Sequence, residues 1–415
     1  MVAWETMRLM LSLLLFTALL AGQPLPLSTP EKEGLSPERL QRLHRVFEQA
    51  VADGKRAGAI TLIARNGKIA DWKAYGFRDL EKRLPMEKDT ICRIYSMTKV
   101  ITSVAAMMLI EEGRMSLTDP VHKFIPELKR MKVFRSGTAD EPNLEDAARP
   151  ITVKHLLTHT SGLTYTWGES PVPALYNRAK VFDNASLREF VGKVATLPLI
   201  AHPGERYNYG INTDVLGYLV QVVSDTPFDT FVQNRILTPL KMHDTHFRLP
   251  GEKAARLAKT YEVKNGKLVE FKAEDVVGRV AENVPYGGMS LLSTTADYAR
   301  FGQMLLNGGQ LDGVRLLSRK TVELMTANHL NGLKVPHIDA DGGYGFGLGG
   351  SVRLDIAKAN IPGSIGQFGW DGAATTRFRM DGKERTVALM FMQYMPFDSE
   401  IMNLFETLFY QSIAD

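Results

Sequence analysis

Strand-like segments lie at the two ends of this chain, and mainly helical segments lie between them. Near the start, residues 59–65 and 68–76 flank Asn66-Gly67, a pair typical of a two-residue hairpin turn. Four further β-rich runs lie near the end of the chain: 343–354, 364–370, 374–380 and 386–394. Early and late strands share one core when they pair in a single sheet. The order of segments therefore predicts an α+β fold with one antiparallel sheet built from both chain ends.

Helical patterns flank this sheet and fill the middle of the chain. Ser36-Pro37-Glu38 is a helix start, and apolar residues follow it at helical spacing as far as Gly54. Four more helical segments are predicted: 96–112, 213–223, 294–308 and 398–411. We expect one domain over 23–415, divided as follows: an α/β part over about 33–95 and 285–415, and a mainly helical subdomain over about 96–284.

The composition excludes several classes of protein. Of the 415 residues, 44% are hydrophobic and 23% are charged, which is the range of globular domains rather than of disordered or fibrous chains. The 50 Lys and Arg residues nearly balance the 46 Asp and Glu residues and are interspersed with them, so we expect no nucleic-acid partner. Cys92 is the only cysteine in the sequence, which excludes an internal disulfide and a cysteine-built metal site.

The first residues have the pattern of an export signal. An uncharged apolar run at 9–22 follows Arg8, and its length suits a signal peptide better than a membrane span. We therefore expect residues 1–22 to be removed and the mature protein to be periplasmic or secreted. Gln23 stands where a lipoprotein carries its acylated cysteine, so no stable membrane anchor is expected. The alternative is a buried N-terminal helix, which would leave the protein in the cytoplasm.

The segment Ser96-Met97-Thr98-Lys99 combines a nucleophile with a base at the start of an apolar helix. Serine and lysine three residues apart share one helix face, so the amine can reach the hydroxyl. Free N–H groups at a helix start favour a nearby oxyanion. The apolar residues that follow would desolvate Lys99, which favours the neutral amine that can act as a base. The pattern alone also fits a surface Ser/Lys pair that caps a helix.

Two further elements could complete such a site. The loop at 203–212 holds Tyr209, and a tyrosine beside an ammonium group can relay protons. An isolated tyrosine more often packs its ring into the core. Small residues surround Trp370 in the segment 369–373, and they let a substrate approach the backbone of a strand closely.

Together these motifs resemble the serine β-lactamase and penicillin-binding-protein superfamily. The Ser96–Lys99 motif is followed in order by 155–163 (HLLTHTSGL), 203–209 (PGERYNY) and 287–301 (GGMSLLSTTADYARF), and the resemblance covers about 33–412. More narrowly, the chain is similar to the family VIII carboxylesterases, which share the class C β-lactamase fold. The resemblance implies an acyl-enzyme mechanism on small-molecule esters with no cofactor and no metal.

The resemblance also assigns roles by position. Ser96 matches the acylated nucleophile, Lys99 its base, and Tyr209 the tyrosine that shares the proton transfer. The oxyanion hole would be formed by the backbone N–H groups of Ser96 and Ala373. The substrate-binding positions that the resemblance implies are Trp370, Asp371, Gly372 and Ile211.

Two departures from the β-lactamase pattern bear on the substrate. Trp370 replaces the lysine that helps to bind a β-lactam carboxylate, which weakens recognition of an anionic ring and provides an apolar wall for neutral esters. Ile211 replaces the asparagine that contacts a β-lactam side chain, and Asn212 comes one residue late. Both changes favour short-chain esters, with weak cephalosporin hydrolysis left open.

Other functions and sites compete with this one. A β-lactamase or D-alanyl-D-alanine peptidase, a sensor that acylates without turnover, and an acyltransferase remain open. An α/β-hydrolase is disfavoured because Ser290 lacks the closing glycine of its motif. His155 and His159 lack the glutamate of a zinc motif, and a solvated loop is the favoured interpretation of 243–246 (HDTH). We expect Cys92 to be a packed core residue.

Overall fold

Strands from the two ends of the chain pair with each other, as the sequence predicts. The structure, a computed structural model, describes residues 24–272, 284–336 and 341–415. Its strands are β1 (Gly58–Arg65), β2 (Lys68–Asp79), β3 (Leu84–Pro85), β4 (Cys92–Arg93), β5 (Lys132–Gly137), β6 (Pro142–Asp146), β7 (Tyr261–Lys264), β8 (Lys267–Glu270), β9 (Leu292–Ser293), β10 (Gln310–Leu311), β11 (Val314–Arg315), β12 (Tyr344–Phe346), β13 (Ser351–Arg353), β14 (Phe368–Gly372), β15 (Thr376–Asp381), β16 (Thr386–Met392) and β17 (Tyr394–Met395).

Helices cover both faces of this sheet and form most of the middle of the chain. The α-helices are α1 (Pro37–Ala52), α2 (Thr98–Glu111), α3 (Val153–Leu157), α4 (Pro171–Arg178), α5 (Leu187–Val194), α6 (Asn212–Ser224), α7 (Phe228–Val232), α8 (Thr295–Leu306), α9 (Arg319–Thr326), α10 (Ile356–Ala359) and α11 (Ser399–Tyr410). The four predicted helices after α1 correspond to α2, α6, α8 and α11.

The largest sheet among the described residues has eight strands in the order β12-β13-β14-β15-β16-β1-β2-β3. Every neighbouring pair in it is antiparallel. The join between the chain ends is the β1–β16 pair, in which Ile60 lies opposite Phe391. The predicted α+β fold with a sheet from both chain ends is confirmed.

Strand β1 shows why the sheet needs helices on both faces. All eight of its residues are buried, and successive side chains point to opposite faces of a strand. Ile60 and Leu62 join the core shared with α2, whereas Ala59 and Ile63 join a second core with α1 and α11. The terminal helices α1 and α11 therefore cover one face, and α8 covers the other together with the core that contains α2.

The structure corrects several predicted boundaries. The run at 343–354 is two strands, β12 and β13, because the chain turns at Gly349, where φ is +102°. The run at 364–370 becomes a strand only from Phe368. The mainly helical middle also contains the β5–β6 hairpin, which the sequence patterns did not predict. The predicted signal segment, 1–22, lies outside the described residues.

In the described part of the chain, no helix combines the length and the apolar character that a membrane crossing requires.

The predicted turn at Asn66-Gly67 is present, with positive φ at both residues (55° and 80°), as a type I′ hairpin requires.

Helix α8 crosses the sheet at a glycine. A Cβ atom on Gly302 would lie 2.7 Å from Cε2 of Phe378 and 2.9 Å from Cγ1 of Val387, and both partners are fully buried. The close packing of this helix on β15 and β16 therefore depends on the missing side chain.

We expect Gly302→Ala to lower the free energy of unfolding by about 1–3 kcal/mol, because overpacking outweighs the better helix propensity of alanine. Gly192 in α5 provides the matched control, since a Cβ atom added there would have no neighbour within 4 Å. Gly192→Ala should raise the stability by about 0.5–1 kcal/mol. Urea unfolding of both variants measures the two effects, and equal effects would contradict this account of the packing.

Candidate active site

Ser96 lies in a tight turn directly before a buried helix. The turn is the 3-10 segment Tyr95–Met97, and helix α2 begins at Thr98. Tyr95 has φ +42°, a left-handed conformation that non-glycine residues adopt at some energetic cost. The sequence pattern predicts Ser96 as the first helical residue, but the structure places it in the turn, where its hydroxyl lines a cavity.

The amine of Lys99 is fully buried beside this hydroxyl. It donates to Ser96 Oγ at 3.1 Å, to Tyr165 Oη at 3.0 Å and to the Gly288 carbonyl oxygen at 2.7 Å. An ammonium group has three hydrogens, so these three acceptors satisfy it completely. The neutral amine would instead accept the hydrogen of the Ser96 hydroxyl.

Tyr209 also contacts the Ser96 hydroxyl. Its hydroxyl donates to Ser96 Oγ at 2.7 Å and accepts from the Trp370 indole N–H at 3.3 Å. Lys99 Nζ lies 4.9 Å from the centre of the Tyr209 ring, close enough for a cation–π contact. The structure thus brings together the three predicted residues Ser96, Lys99 and Tyr209.

Two loops hold Tyr209 in this position. The Asn208 backbone N–H donates to the His159 carbonyl oxygen at 2.8 Å, and the Asn208 side chain donates to the Leu163 carbonyl oxygen at 2.9 Å. Gly204 N donates to Thr160 O at 2.7 Å. The HLLTHTSGL segment therefore supports the tyrosine loop through its backbone, which explains why these two motifs occur together.

His159 packs under Tyr209 and takes no part in the contacts of Ser96. Its ring centre lies 4.8 Å from that of Tyr209, and its Nδ1 bonds the Asn212 side-chain amide at 3.0 Å. Burial, assisted by the charge of Lys99, holds the pKa of His159 well below its ordinary value. A neutral structural histidine is therefore expected at this position.

Strand β14 closes the site next to the Ser96 turn. A Cβ atom on Gly372 would lie 2.3 Å from the carbonyl oxygen of Ile94, so only glycine fits this close approach. The sequence pattern predicts that small residues here let a substrate approach the strand. In the structure, the missing side chain of Gly372 instead lets the Ser96 turn pack closely against the strand. Ala373 follows the strand and lines the same cavity as Ser96.

The cavity over Ser96 has a volume of about 400 Å³. Its aromatic side chains are Trp167, Tyr209, Tyr344, Trp370 and Phe397. Its other lining residues include Asp371, Gly372, Ala373, Arg377, Arg379, Ser399 and Asn403. The predicted substrate-binding residues Trp370, Asp371 and Gly372 are thus all at the cavity.

The fourth predicted substrate-binding residue, Ile211, is not brought to the cavity. It directly precedes helix α6, is fully buried and belongs to the main hydrophobic core. Asn212 is also buried, and it bonds Ser161 and His159 instead of facing the cavity. The helix start turns both side chains into the protein interior.

Two buried residues beside Lys99 were missed by the sequence analysis. Tyr165 accepts from Lys99, and burial followed by the nearby Tyr209 raises the pKa of Tyr165 well above its ordinary value. Asp214 on α6 accepts from the Gly288 N–H at 2.8 Å. Burial raises the pKa of Asp214 to about 6, although the charge of Lys99 opposes this effect. Tyr165 lies two residues after the HTSGL motif, and this position was the available signal for it.

The residues of the competing candidate sites are buried or are bound by other groups of the protein. Cys92 is buried, and burial raises the pKa of its thiol to about 12. Asp244 of the HDTH segment is bound by Arg256 and Lys253. The Ser290 hydroxyl is buried and donates to the Val284 carbonyl oxygen.

A serine beside a buried lysine, in a fold with this sheet, defines a serine hydrolase with the β-lactamase fold. The Beta-lactamase family matches residues 43–409. The chain therefore belongs to the beta-lactamase family, and the resemblance to this superfamily predicted from the motifs is confirmed.

Individual relatives agree with this assignment. An uncharacterized protein of Mycobacterium tuberculosis is 35% identical over 354 residues, which cover 83% of this chain and 87% of the relative. Esterase EstB of Burkholderia gladioli is 30% identical over 354 residues, which cover 80% of this chain and 84% of EstB. Among solved structures, the simvastatin synthase LovD of Aspergillus terreus has a TM-score of 0.78 at 26% identity, covering 90% of this chain and 98% of LovD.

The raised pKa of Asp214 predicts a pH-dependent stability. The folded protein holds this proton more tightly than the unfolded chain does, so the stabilising contribution is complete at low pH and is lost as the pH rises through about 6. Asp214→Asn cannot titrate. We expect the stability of the wild type relative to this variant to fall between about pH 4 and pH 7 in urea unfolding.

Asp297 supplies a second, independent case, because burial raises its pKa to about 7. Asp297→Asn should show the same sign over a window that begins at the same low pH and extends about one pH unit higher. A stability difference that stays constant with pH in both variants would contradict this interpretation of the two carboxyl groups.

Proposed function

We propose that this chain is a serine carboxylesterase that hydrolyses short-chain carboxylic esters through an acyl-enzyme on Ser96. The observation that carries the proposal is the convergence of Lys99 Nζ (3.1 Å) and Tyr209 Oη (2.7 Å) on Ser96 Oγ within a cavity. The similarity to esterase EstB supports an ester as the substrate. The single catalytic domain proposed here covers 23–415.

In the acylation step, Ser96 Oγ forms a bond to the ester carbonyl carbon while the Lys99 and Tyr209 pair takes its proton. The backbone N–H groups of Ser96 and Ala373 would stabilise the oxyanion. When the ester C–O bond breaks, the alcohol leaves with a proton returned through Tyr209. Water then attacks the acyl carbon by the reverse relay, the bond between Ser96 Oγ and the acyl carbon breaks, the carboxylic acid leaves, and Ser96 regains its proton.

The surroundings of Ser96 support an ester more than a penicillin. Trp370 presents an indole ring where the resemblance places the carboxylate-binding lysine of β-lactamases, and its N–H is bonded to Tyr209. Ile211 has an apolar side chain and is buried in the core, so it cannot replace the asparagine that contacts a β-lactam side chain. Tyr165 holds Lys99 in place as a positioning residue. We also propose that the chain belongs to the narrower group of family VIII carboxylesterases and that it hydrolyses cephalosporins weakly.

The first test is the turnover of p-nitrophenyl acetate and butyrate by the wild type and by Ser96→Ala. We expect Ser96→Ala to lower kcat by about 10³-fold or more, because the variant lacks the proposed nucleophile. Ser136→Ala, at an exposed position of the β5–β6 hairpin, controls for the loss of a hydroxyl group. Full activity in Ser96→Ala would refute the proposed nucleophile.

Tyr209→Phe tests the proton relay separately from the nucleophile. We expect kcat to fall by about 10²–10⁴-fold, the usual contribution of general acid–base catalysis, while the protein remains folded and acylable. Pre-steady-state measurement of the first turnover distinguishes slow acylation from slow acyl-enzyme hydrolysis. Wild-type kcat in this variant would remove Tyr209 from the mechanism.

The alternative functions give different results in the same assay. Faster hydrolysis of a chromogenic cephalosporin than of the butyrate ester would indicate a β-lactamase. An acyl adduct that persists for hours would indicate a sensor. If added alcohols are converted to new esters in preference to hydrolysis, the acyl-enzyme serves an acyltransferase.

A further inference from the structure

A buried carboxylate lies near the amine of Lys99, and the proposed mechanism does not use it. Asp214 is in the first turn of helix α6, and it is completely buried. The start of a helix favours a negative charge, because its free backbone N–H groups carry partial positive charge. Burial raises the pKa of Asp214 to about 6, so the carboxyl group is ionised at neutral pH. Asp214 is therefore a fixed negative charge inside the protein under ordinary assay conditions.

Gly288 connects this carboxylate to Lys99. Its N–H donates to Asp214 Oδ1 at 2.8 Å, and its carbonyl oxygen accepts from Lys99 Nζ at 2.7 Å. A Cβ atom added to Gly288 would lie 2.6 Å from Asp214 Oδ2 and 2.7 Å from Oδ1, so the carboxylate packs directly on the glycine. One residue therefore separates the negative charge from the amine.

Helices α2 and α6 both pack closely on this glycine segment. The carbonyl oxygen of Gly287 accepts from the Thr102 hydroxyl of α2 at 2.7 Å. A Cβ atom added to Gly287 would lie 2.4 Å from the carbonyl oxygen of Thr213 in α6. Helix α2 carries Lys99 and helix α6 carries Asp214, so close backbone packing fixes the separation of the two charged groups.

In the described part of the chain, neither Asp214 nor Lys99 is bonded to a group of opposite charge. Asp214 Oδ2 is buried and has no hydrogen-bond partner among these residues. The acceptors of the Lys99 amine are two hydroxyl groups and a carbonyl oxygen, which are formally neutral. An isolated buried charge is unfavourable, and opposite charges stabilise each other strongly where the dielectric constant is low. In agreement, the charge of Lys99 lowers the pKa of Asp214 against the effect of burial.

The other titratable groups around this pair are held neutral by burial. The pKa of His159 lies well below its ordinary value for this reason. The tyrosines nearby whose pKa is raised by burial are Tyr165, Tyr207 and Tyr286. Tyr209, a member of the proposed relay, has its ring centre 4.9 Å from Lys99 Nζ. A change of charge at Asp214 therefore acts on the Lys99 and Tyr209 pair.

We propose that Asp214 is a positioning residue whose charge stabilises the positive charge that the Lys99 and Tyr209 pair gains during catalysis. The inference rests on the proposed function and deepens it. When Ser96 Oγ bonds to the ester carbonyl carbon, its proton passes to this pair, which gains one positive charge while the carbonyl oxygen becomes negative. Asp214 stabilises the new charge through space and, by binding Gly288, holds one acceptor of the amine in place. The charge is lost when the proton returns through Tyr209 to the leaving alcohol.

The test is the pH dependence of kcat and KM for p-nitrophenyl acetate in Asp214→Asn. Asparagine keeps the shape of the side chain and an acceptor for the Gly288 N–H, but it removes the charge. On the pH plateau, we expect kcat to fall about 10–100-fold, because the charged intermediate loses its stabilisation. KM should change less than about twofold, because Asp214 acts through Lys99 and not on the substrate.

The same variant should move the acid limb of the pH–kcat profile to lower pH by about one unit. Without the carboxylate, the Lys99 and Tyr209 pair holds an extra proton less tightly, so it can accept the Ser96 proton at a lower pH. This direction is the same whichever of the two groups carries the proton. A purely structural defect would lower the rate at every pH and leave the limb in place.

Asp297→Asn is the matched control. Asp297 is also a buried carboxyl group with a raised pKa, but it accepts from the Asp244 N–H and from the Thr245 hydroxyl. This variant should keep the wild-type acid limb and the wild-type kcat per folded enzyme. Asp214→Ser lacks both the charge and the buried amide hydrogens of asparagine, and it should move the limb in the same direction as Asp214→Asn.

The outcomes separate this inference from the proposed function. Ester turnover that requires Ser96, with an acid limb that stays in place in both Asp214 variants, would overturn the role of Asp214 and leave the esterase standing. An equal shift of the limb in Asp297→Asn would also overturn it, because the effect would not depend on proximity to Lys99. If ester turnover does not require Ser96, the proposed function and this inference both fail.

Discussion

The arrangement around Ser96 depends on the complete enclosure of the Lys99 amine. A buried amine is tolerated only where oxygen atoms receive its hydrogens. Here those oxygens come from the Ser96 turn, from Tyr165 in the helical middle and from Gly288 near the late part of the sheet. Because Asp214 in turn binds the N–H of Gly288, the position of one amine requires four distant segments of the chain to meet. The short β4–β9 pair, in which Cys92 lies opposite Ser293, holds the Ser96 turn near the Gly288 segment.

Strand β14 contacts several parts of the cavity over Ser96. Through Trp370 it bonds Tyr209, and through Gly372 it seats the turn that carries Ser96. Through Asp371 it joins a buried network of arginines and carboxylates at the other end of the cavity.

The sequence predicted the parts of the site that depend on local spacing. Ser96 and Lys99 are one helical turn apart, and Tyr209 ends a recognisable loop. Asp214 could not be inferred in this way, because its contact with Gly288 joins residues far apart in the chain, and the one signal for Tyr165 was its place just after the HTSGL motif. Ile211 was assigned by its position in a motif, but the start of α6 turns it into the core. The β5–β6 hairpin was missed because its exposed strands lack an alternating apolar pattern.

The central claim is that an ester acylates Ser96 itself. The most direct measurement is acid quenching during turnover of p-nitrophenyl butyrate, followed by intact-protein mass and peptide mapping. The account predicts one butyryl group, located on the peptide that contains Ser96, with Tyr209→Phe altering how much of it accumulates. A butyryl group mapped to any other residue, or ester turnover with no adduct under any quench time, would contradict the account.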